Sequence, residues 1–182
     1  MRLSSTVLVL AAVSAVQGLS IPRDATPVLS ALDTIKSQLH TVGDLVEVFT
    51  GGFNGTFAAL QIQGETGELR TAINNGVAAI KRIQPLNEAD SAQVVNVVVA
   101  LQSDIYNLLD LLVQKKPAFD TAILGIGSAS FLVKIDLQIL RNSTAQLGNA
   151  ITSKLVEEFQ RLAPLITSSI DFHFSKALAA YA

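Results

Sequence analysis

Apolar side chains recur at alternating spacings of three and four residues in five segments of the chain, and this spacing predicts five amphipathic helices. The first segment shows the pattern most clearly, because its apolar positions continue without interruption from a Thr26-Pro27 start to a Gly51-Gly52 stop. Those positions are Val28, Leu32, Ile35, Leu39, Val42, Val46 and Phe49. Polar residues lie between them, so the predicted helix has one face for a core and one for solvent. Thr26 is the predicted N-cap.

The second segment is predicted to form a helix from about Thr56 to Gln84, where Pro85 ends it. Gly64 and Gly67 lie in its first half, and each lowers helix stability by up to ~1 kcal/mol relative to alanine. A kink or break is therefore expected there. The predicted inward face consists of Phe57, Leu60, Leu69, Ile73, Val77, Ile80 and Ile83.

The third segment begins at Asn87 and is the most apolar part of the chain after the N-terminus. Its valine-rich stretch 94–99 also suits a strand, but the helical spacing continues through Val113 and favours a helix. Because it is apolar on more than one side, we expect it to be the central helix, covered by several neighbours. Lys115-Lys116-Pro117 is predicted to end it. The inward stripe is Val94, Val98, Leu101, Ile105, Leu108 and Leu112.

Two further helices are predicted, one over about 128–150 and one over about 153–180. The inward set of the fourth is Leu132, Ile135, Ile139 and Leu147. Pro164 falls inside the fifth and is expected to bend or split it. Short loops joining helices that each have an apolar stripe predict an all-α, up-and-down bundle of about five amphipathic helices, with a single domain over 26–182.

The first eighteen residues have the layout of a secretory signal peptide. Met1-Arg2 provides a positive start, and the apolar stretch 7–16 is too short to span a bilayer. Cleavage is expected after Gly18, with Ala15 as the alternative, and residues 19–25 are interpreted as a short further leader. No later apolar stretch is expected to reach membrane length, so the product is predicted to be exported without a transmembrane segment or lipid anchor.

Two asparagines lie in sequons for N-linked glycosylation, which supports export. Asn54 is followed by Gly55-Thr56 in a glycine-rich loop, whereas Asn142 is followed by Ser143-Thr144 inside a helical pattern. Both are predicted glycosylation sites, and the loop context makes Asn54 the better acceptor.

Composition excludes several classes of function. The 182 residues have a net charge of −2 and no basic run, which argues against a nucleic-acid partner. The absence of cysteine removes disulfides, thiolate metal sites and cysteine nucleophiles together. His40 is expected at the surface and His173 at the edge of the core with a hydrogen-bond partner, and neither has a carboxylate at metal-ligand spacing. Gly125-Ile126-Gly127-Ser128 matches neither a hydrolase nor a nucleotide-binding motif, so no catalytic residue, metal or cofactor is predicted.

The apolar content points instead to a binding role. Apolar residues make up 49% of the chain and aromatic residues only 5%, so aliphatic side chains must fill the space between long helices. Because bulky aromatic side chains are scarce, a cavity or tunnel between the helices is expected, and such cavities bind apolar ligands. The spacing places nine residues along the expected path of an acyl chain: Leu39, Val42, Leu101, Ile105, Leu108, Ile135, Ile139, Leu162 and Ile166.

Several short motifs occur in an order that resembles one protein family. Arg23-Asp24 is followed by LSALDTI at 29–35, AIN at 72–74, KKPAFD at 115–120 and ALAAY at 177–181. In this order, length and lack of cysteine the chain resembles the fungal hydrophobic surface-binding protein A family, which includes cell-wall galactomannoproteins. The sequence departs from the family where alanine-rich sequence is usual, with Gly64-Glu65-Thr66-Gly67 in the second helix.

The resemblance implies a secreted or wall-associated, glycosylated, helical protein without enzymatic activity. Its implied partners are hydrophobic surfaces, long-chain fatty acids or other lipids, and a secreted hydrolase that it helps to recruit. Two alternatives remain open at this level: a structural wall glycoprotein whose apolar faces form only a closed core, and an effector that binds a protein partner. No ligand-contacting residue is carried over from the family.

Overall fold

The computed structural model of the chain describes residues 24–52, 55–122 and 128–182. Its helices are α1 (Thr26–Val48), α2 (Gly55–Arg82), α3 (Glu88–Thr121), α4 (Ala129–Thr152), the single-turn α5 (Glu157–Gln160) and α6 (Ala163–Ala180). The described ranges contain no β-strand, and the predicted all-α bundle of about five helices is confirmed. The predicted signal peptide and Asn54 lie outside the described residues.

The five long helices form a ring in the order α1, α2, α4, α6 and α3, and α3 closes the ring against α1. Successive long helices alternate in direction along the chain, so α1, α3 and α6 end at one end of the bundle, called the upper end below. Ring neighbours α2 and α4 are therefore parallel, and the 3.1 Å hydrogen bond from Gln63 Nε2 to Asp136 Oδ1 joins them. The parallel pair α3 and α6 is joined in the same way by Lys176 and Asp110.

Helix α1 begins one residue earlier than predicted. Ala25 is its N-cap and makes no side-chain cap, while Pro27 lies in the first turn. The backbone N–H of Thr26 donates to the Asp24 carboxylate at 3.0 Å. Asp24 thereby satisfies one of the N–H groups at the start of the helix that have no partner within the helix. All seven positions of the predicted stripe of α1 are buried.

Helix α2 is continuous, and the kink expected at Gly64 and Gly67 does not form. A Cβ at either glycine would meet nothing within 4 Å, which places both on open sides of the helix. Burial of Ile62 and Leu69 on the opposite side outweighs the weak intrinsic preference of the two glycines.

The inward face predicted for the first half of α2 is wrong. Phe57 and Leu60 are 79% and 54% exposed, and the buried positions there are Ala59 and Ile62. Both sets have helical spacing. The prediction assigned the bulkier side chains to the core and so placed the buried stripe of α2 on the wrong face. The predicted positions from Leu69 onward are buried.

Helix α3 continues past the predicted stop to Thr121, with Pro117 inside it. The last turn is held by Phe119, which is 1% exposed and stacks on Phe49 with ring centroids 4.5 Å apart. The Lys115 ammonium donates to the carbonyls of Glu47 and Phe49 at the end of α1 rather than closing its own helix. Tertiary packing therefore outweighs the backbone hydrogen bond that Pro117 removes.

Helix α3 contacts α1, α4, α5 and α6, which agrees with the several neighbours expected for it, but its outer face stays in solvent, where Val99 is 50% exposed. One window of α3 has a mean hydropathy of 1.3, so the helix is long and apolar enough to cross a membrane by length and composition alone. This corrects the expectation that no later segment reaches membrane length. The difference arises because polar residues such as Asn96 and Gln102 interrupt the apolar run without lowering the average below that level.

The fifth segment is split, as Pro164 predicted. Helix α5 ends at Gln160 and α6 begins at Ala163, with Pro164 in its first turn, where a missing N–H has little effect. The connection from α4 is fixed by the Lys154 ammonium, which donates to the carbonyl of Ile83 at 2.7 Å and thereby ties the lower ends of α2 and α4 together.

Two neighbouring glycines provide a matched test of the turn after α1. Both have positive φ, 72° at Gly51 and 76° at Gly52, so alanine strains the backbone at either position. A Cβ on Gly51 would also lie 2.2 Å from the carbonyl oxygen of Ala118, whereas one on Gly52 would meet nothing. We expect Gly51→Ala to lower the free energy of unfolding by at least about 1 kcal/mol more than Gly52→Ala. Urea denaturation measures the difference, and equal losses would contradict the close approach.

Candidate functional site

Three apolar cavities lie in the bundle interior. The central cavity, about 40 Å³, is lined by side chains from all five long helices, none of them charged. The lining consists of Ile35, Leu39, Leu69, Ile73, Ile105, Leu108, Leu109, Leu112, Leu137, Leu140, Thr144 and Phe174. The five apolar stripes therefore converge on this point, and they leave space between them rather than closing completely.

An upper and a lower cavity adjoin the central one. The upper cavity, about 30 Å³, shares four leucines with it: Leu108, Leu112, Leu137 and Leu140. The lower cavity, about 90 Å³, shares Ile105, Thr144 and Phe174 with it. Because the central cavity shares walls with each of the other two, the three form one row along the bundle, separated by layers of side chains.

The row is closed at its upper end by aromatic side chains. Phe119 lines the upper cavity and packs between Phe49 and the ring of Tyr181, whose centroid lies 6.4 Å away. The Tyr181 hydroxyl donates to the carbonyl of Leu112 at 2.7 Å. Burial, with a smaller contribution from Asp120, raises the pKa of Tyr181 above its ordinary value, so this hydroxyl stays protonated and keeps its hydrogen bond.

The upper cavity contains one carboxyl group. Asp136 lines it together with Gln63, whose amide donates to the carboxylate. Burial raises the pKa of Asp136, and the Gln63 hydrogen bond and the charge of Arg70 oppose that shift in part. The raised pKa favours the neutral acid, which offers no charge to an anionic ligand, and the charged form would repel one.

Each cavity is smaller than the roughly 300–1,000 Å³ of a typical small-molecule pocket. A long ligand therefore requires the leucine layer and the Ile105–Phe174 layer to move apart. Aliphatic side chains on neighbouring helices can do this by changing rotamers, because they hold no hydrogen bonds that such a change would break.

Six of the nine residues predicted along the acyl-chain path line this row. Leu39, Ile105 and Leu108 face the central cavity, Val42 the upper one, and Leu101 and Ile166 the lower one.

The remaining three predicted residues line none of the three cavities. Ile135 and Ile139 are half-buried on α4, and Leu162 is 46% exposed at the break between α5 and α6. Leu147 of the predicted inward set of α4 is buried, whereas the buried aliphatic positions before it are Val133, Leu137 and Leu140. Both series are apolar at helical spacing, so the sequence pattern offered no signal to choose between them. Leu69 and Leu112, which line the central cavity, belong to the stripes predicted for α2 and α3.

The two histidines build no catalytic arrangement. His40 is exposed, with Nε2 3.8 Å from Asp104 Oδ2. His173 is half-buried and stacks on Tyr106, with ring centroids 3.7 Å apart, but its Nδ1 is buried without the hydrogen-bond partner that was expected. The Tyr106 hydroxyl donates to Ser169 instead. The residues that the structure describes contain no group of three metal-ligating side chains.

Large apolar side chains also remain on the outside of the bundle. The exposed set comprises Val48, Phe57, Leu60, Val99, Phe131, Leu162, Leu165 and Phe172. Phe57 and Phe131 lie in the first turns of α2 and α4, at the upper end of two adjacent helices. Asn142 is exposed on α4, where a glycan would project into solvent, and its glycosylation stays a prediction.

The fold and the cavity row define a class of protein: a helical bundle built around an apolar interior track, with further apolar side chains outside. The chain belongs to the family described as hydrophobic surface binding protein A, whose pattern matches residues 25–153. This confirms the family indicated by the sequence motifs.

Known relatives share the fold. The chain is 23% identical over 181 residues to cell wall mannoprotein 1 of Aspergillus fumigatus, and it spans 60% of that protein's length. A crystal structure of AFMP4P in complex with palmitic acid is 33% identical, has a TM-score of 0.81, and covers 87% of this chain and 100% of its own. Ligand binding domain 1 of the Penicillium marneffei MP1 protein, complexed with arachidonic acids, is 19% identical with a TM-score of 0.77, covering 88% and 99%.

Substitution of a leucine between two cavities tests whether the walls of this row contribute to the stability of the core. Leu137 is 1% exposed and borders the upper and central cavities. We expect Leu137→Ala to lower the free energy of unfolding by about 2–5 kcal/mol, since it enlarges an existing void. Leu165→Ala, at a position 70% exposed, should change it by less than about 0.5 kcal/mol. Urea denaturation of both variants compares them, and similar values would argue against a shared apolar wall at Leu137.

Proposed function

We propose that this chain binds a long-chain fatty acid inside the bundle, with the acyl chain along the row of three cavities. The observation that carries the proposal is the convergence of apolar side chains from all five long helices on a central cavity with no charged lining. An acyl chain is the ligand that matches a narrow apolar track of this kind, because it is long, thin and flexible.

Burial of the acyl chain supplies the free energy for opening the track. Each methylene removed from water contributes about 0.8 kcal/mol. Ten buried methylenes therefore contribute about 8 kcal/mol, from which the rearrangement of the leucine layer and the loss of ligand freedom are subtracted. Binding at micromolar concentration or below is consistent with that balance.

Two comparisons support a fatty acid as the ligand. AFMP4P, which is 33% identical to this chain and is matched over its whole length, has a crystal structure in complex with palmitic acid. The two ligand binding domains of MP1 have the same fold and are complexes with arachidonic acids.

The proposal includes a non-enzymatic role outside the cell. The family and the cell wall mannoprotein support an extracellular or wall location. The family is named for binding to hydrophobic surfaces, which supports a binding role. Recruitment of a secreted hydrolase stays a prediction drawn from the resemblance.

A substitution at the wall between two cavities tests the interior site. Ile105 borders both the central and the lower cavity, so Ile105→Phe places a ring across the row. We expect this variant to weaken displacement of a fluorescent fatty acid by palmitate at least about tenfold, a loss of roughly 1.4 kcal/mol. Overpacking lowers its stability by about 1–3 kcal/mol, so thermal denaturation must show that it is folded at the assay temperature.

The matched control is Val99→Phe, which adds the same ring to an exposed position of the same helix. It should bind palmitate like the unmodified protein. A folded Ile105→Phe variant with unchanged palmitate affinity would place the ligand elsewhere.

Adsorption to hydrophobic surfaces is a second function that the exposed aromatic side chains favour. Phe57 and Phe131 are 79% and 62% exposed on adjacent helices. The double variant Phe57→Ser with Phe131→Ser should adsorb less to polystyrene beads, because it removes apolar area from the surface without touching the cavities. Its palmitate affinity is the internal control and should not change; full adsorption would assign this property to other faces.

A further inference from the structure

The lower cavity differs from the other two because charged side chains lie at its edge. Arg141 of α4 and Asp171 of α6 both line it, next to Ile166 and Phe174. Among the residues that line the three cavities, Arg141 carries the one positive charge. An anionic group on a ligand in the row therefore meets one cation among the lining residues, while Arg70 acts on Asp136 from outside the lining of the upper cavity.

The two charged groups form a clasp between α4 and α6. Arg141 Nε donates to Asp171 Oδ1 at 2.6 Å and Nη2 donates to Oδ2 at 2.7 Å, which is the two-pronged geometry that guanidinium groups adopt with carboxylates. This is also the geometry in which arginine would hold the carboxylate of a fatty acid. The site thus already contains a carboxylate in the position that a ligand head group would take.

The clasp is exposed enough to exchange partners. The side chains of Arg141 and Asp171 are 39% and 52% exposed, and ion pairs in solvent contribute little to stability. The Arg141 hydrogen bonds lower the pKa of the Asp171 carboxyl, so the pair is intact at neutral pH and is lost as the pH falls through that lowered pKa. Above it, a ligand carboxylate must displace Asp171, which the fold holds beside the guanidinium, so the buried acyl chain has to supply the advantage.

Breaking the clasp would also loosen the wall of the lower cavity. The packing of α4 on α6 near the clasp is close, since a Cβ on Gly148 would lie 3.1 Å from the Thr167 methyl carbon. The ion pair is the polar link between these two helices at the cavity edge. Exchange of the Asp171 carboxylate for a ligand carboxylate removes this link, and the remaining contacts between α4 and α6 then decide how far the lower cavity can widen.

We infer that Arg141 binds the carboxylate of the fatty acid at the edge of the lower cavity, and that this carboxylate takes the place of Asp171. The inference rests on the proposed function. The acyl chain then enters between α4 and α6, passes Ile105 and Phe174 into the central cavity, and extends toward the leucine layer.

The experiment compares palmitate with methyl palmitate, which has the same chain but no negative charge. Displacement of a fluorescent fatty acid gives an affinity for each, and their ratio measures recognition of the carboxylate. The unmodified protein should prefer palmitate by about tenfold or more. In Arg141→Gln the ratio should fall to about one, while methyl palmitate still binds.

Two further variants complete the test. Asp171→Asn removes the competing carboxylate and should raise the preference for palmitate above that of the unmodified protein. Arg161→Gln, which breaks an exposed ion pair with Glu157 away from the cavities, should leave the ratio unchanged.

The outcomes distinguish failure of the proposed fatty-acid binding from failure of the role of Arg141. If neither ligand binds the unmodified protein, the proposed function fails. If both bind but Arg141→Gln keeps the full preference for palmitate, the interior site stands and the role of Arg141 is overturned.

Discussion

Burial of five apolar stripes against one another is the constraint on which the rest of this structure depends. Each long helix has polar residues on its outer face, together with exposed apolar ones such as Val99 and Phe172, and cannot hide its inward apolar face alone, so stability comes from closing the ring. Most of the side chains at its centre are leucine, isoleucine and valine, with few rings to fill the gaps. The same packing that holds the bundle together therefore leaves a row of small voids, and the proposed binding site shares its residues with the core.

Because the same residues serve both, packing that stabilises the bundle works against binding of a ligand. A leucine layer that packs well stabilises the closed bundle but must open for an acyl chain, so every methylene that fills a void in the closed state competes with the ligand. The Arg141–Asp171 clasp belongs to the same balance, because it joins two helices at the one edge of the row where opposite charges meet.

Sequence spacing identified the core face of α1 and failed in the first half of α2 and in part of α4, where two apolar series compete. In α1 all predicted core positions are buried, since polar residues separate them. In α4 the series through Ile135 and Ile139 was chosen, whereas the series through Leu137 and Leu140 is buried. Both series satisfy the helical period, and only contact with α2 and α6 selects between them. Three of the nine predicted lining residues were misplaced in this way or lie at a helix break.

By itself, the sequence determined the helix count, most of the helix ends, the split at Pro164 and the family, because these depend on local spacing, turn residues and short motifs. Only the tertiary structure decided the ring order, the parallel pairs α2–α4 and α3–α6, the extension of α3 past Pro117 and the meeting of Arg141 with Asp171. The physical reason is that these features depend on which helix faces pack together. That choice is made by contacts between residues far apart in the chain, such as the 30 positions that separate the two members of the clasp.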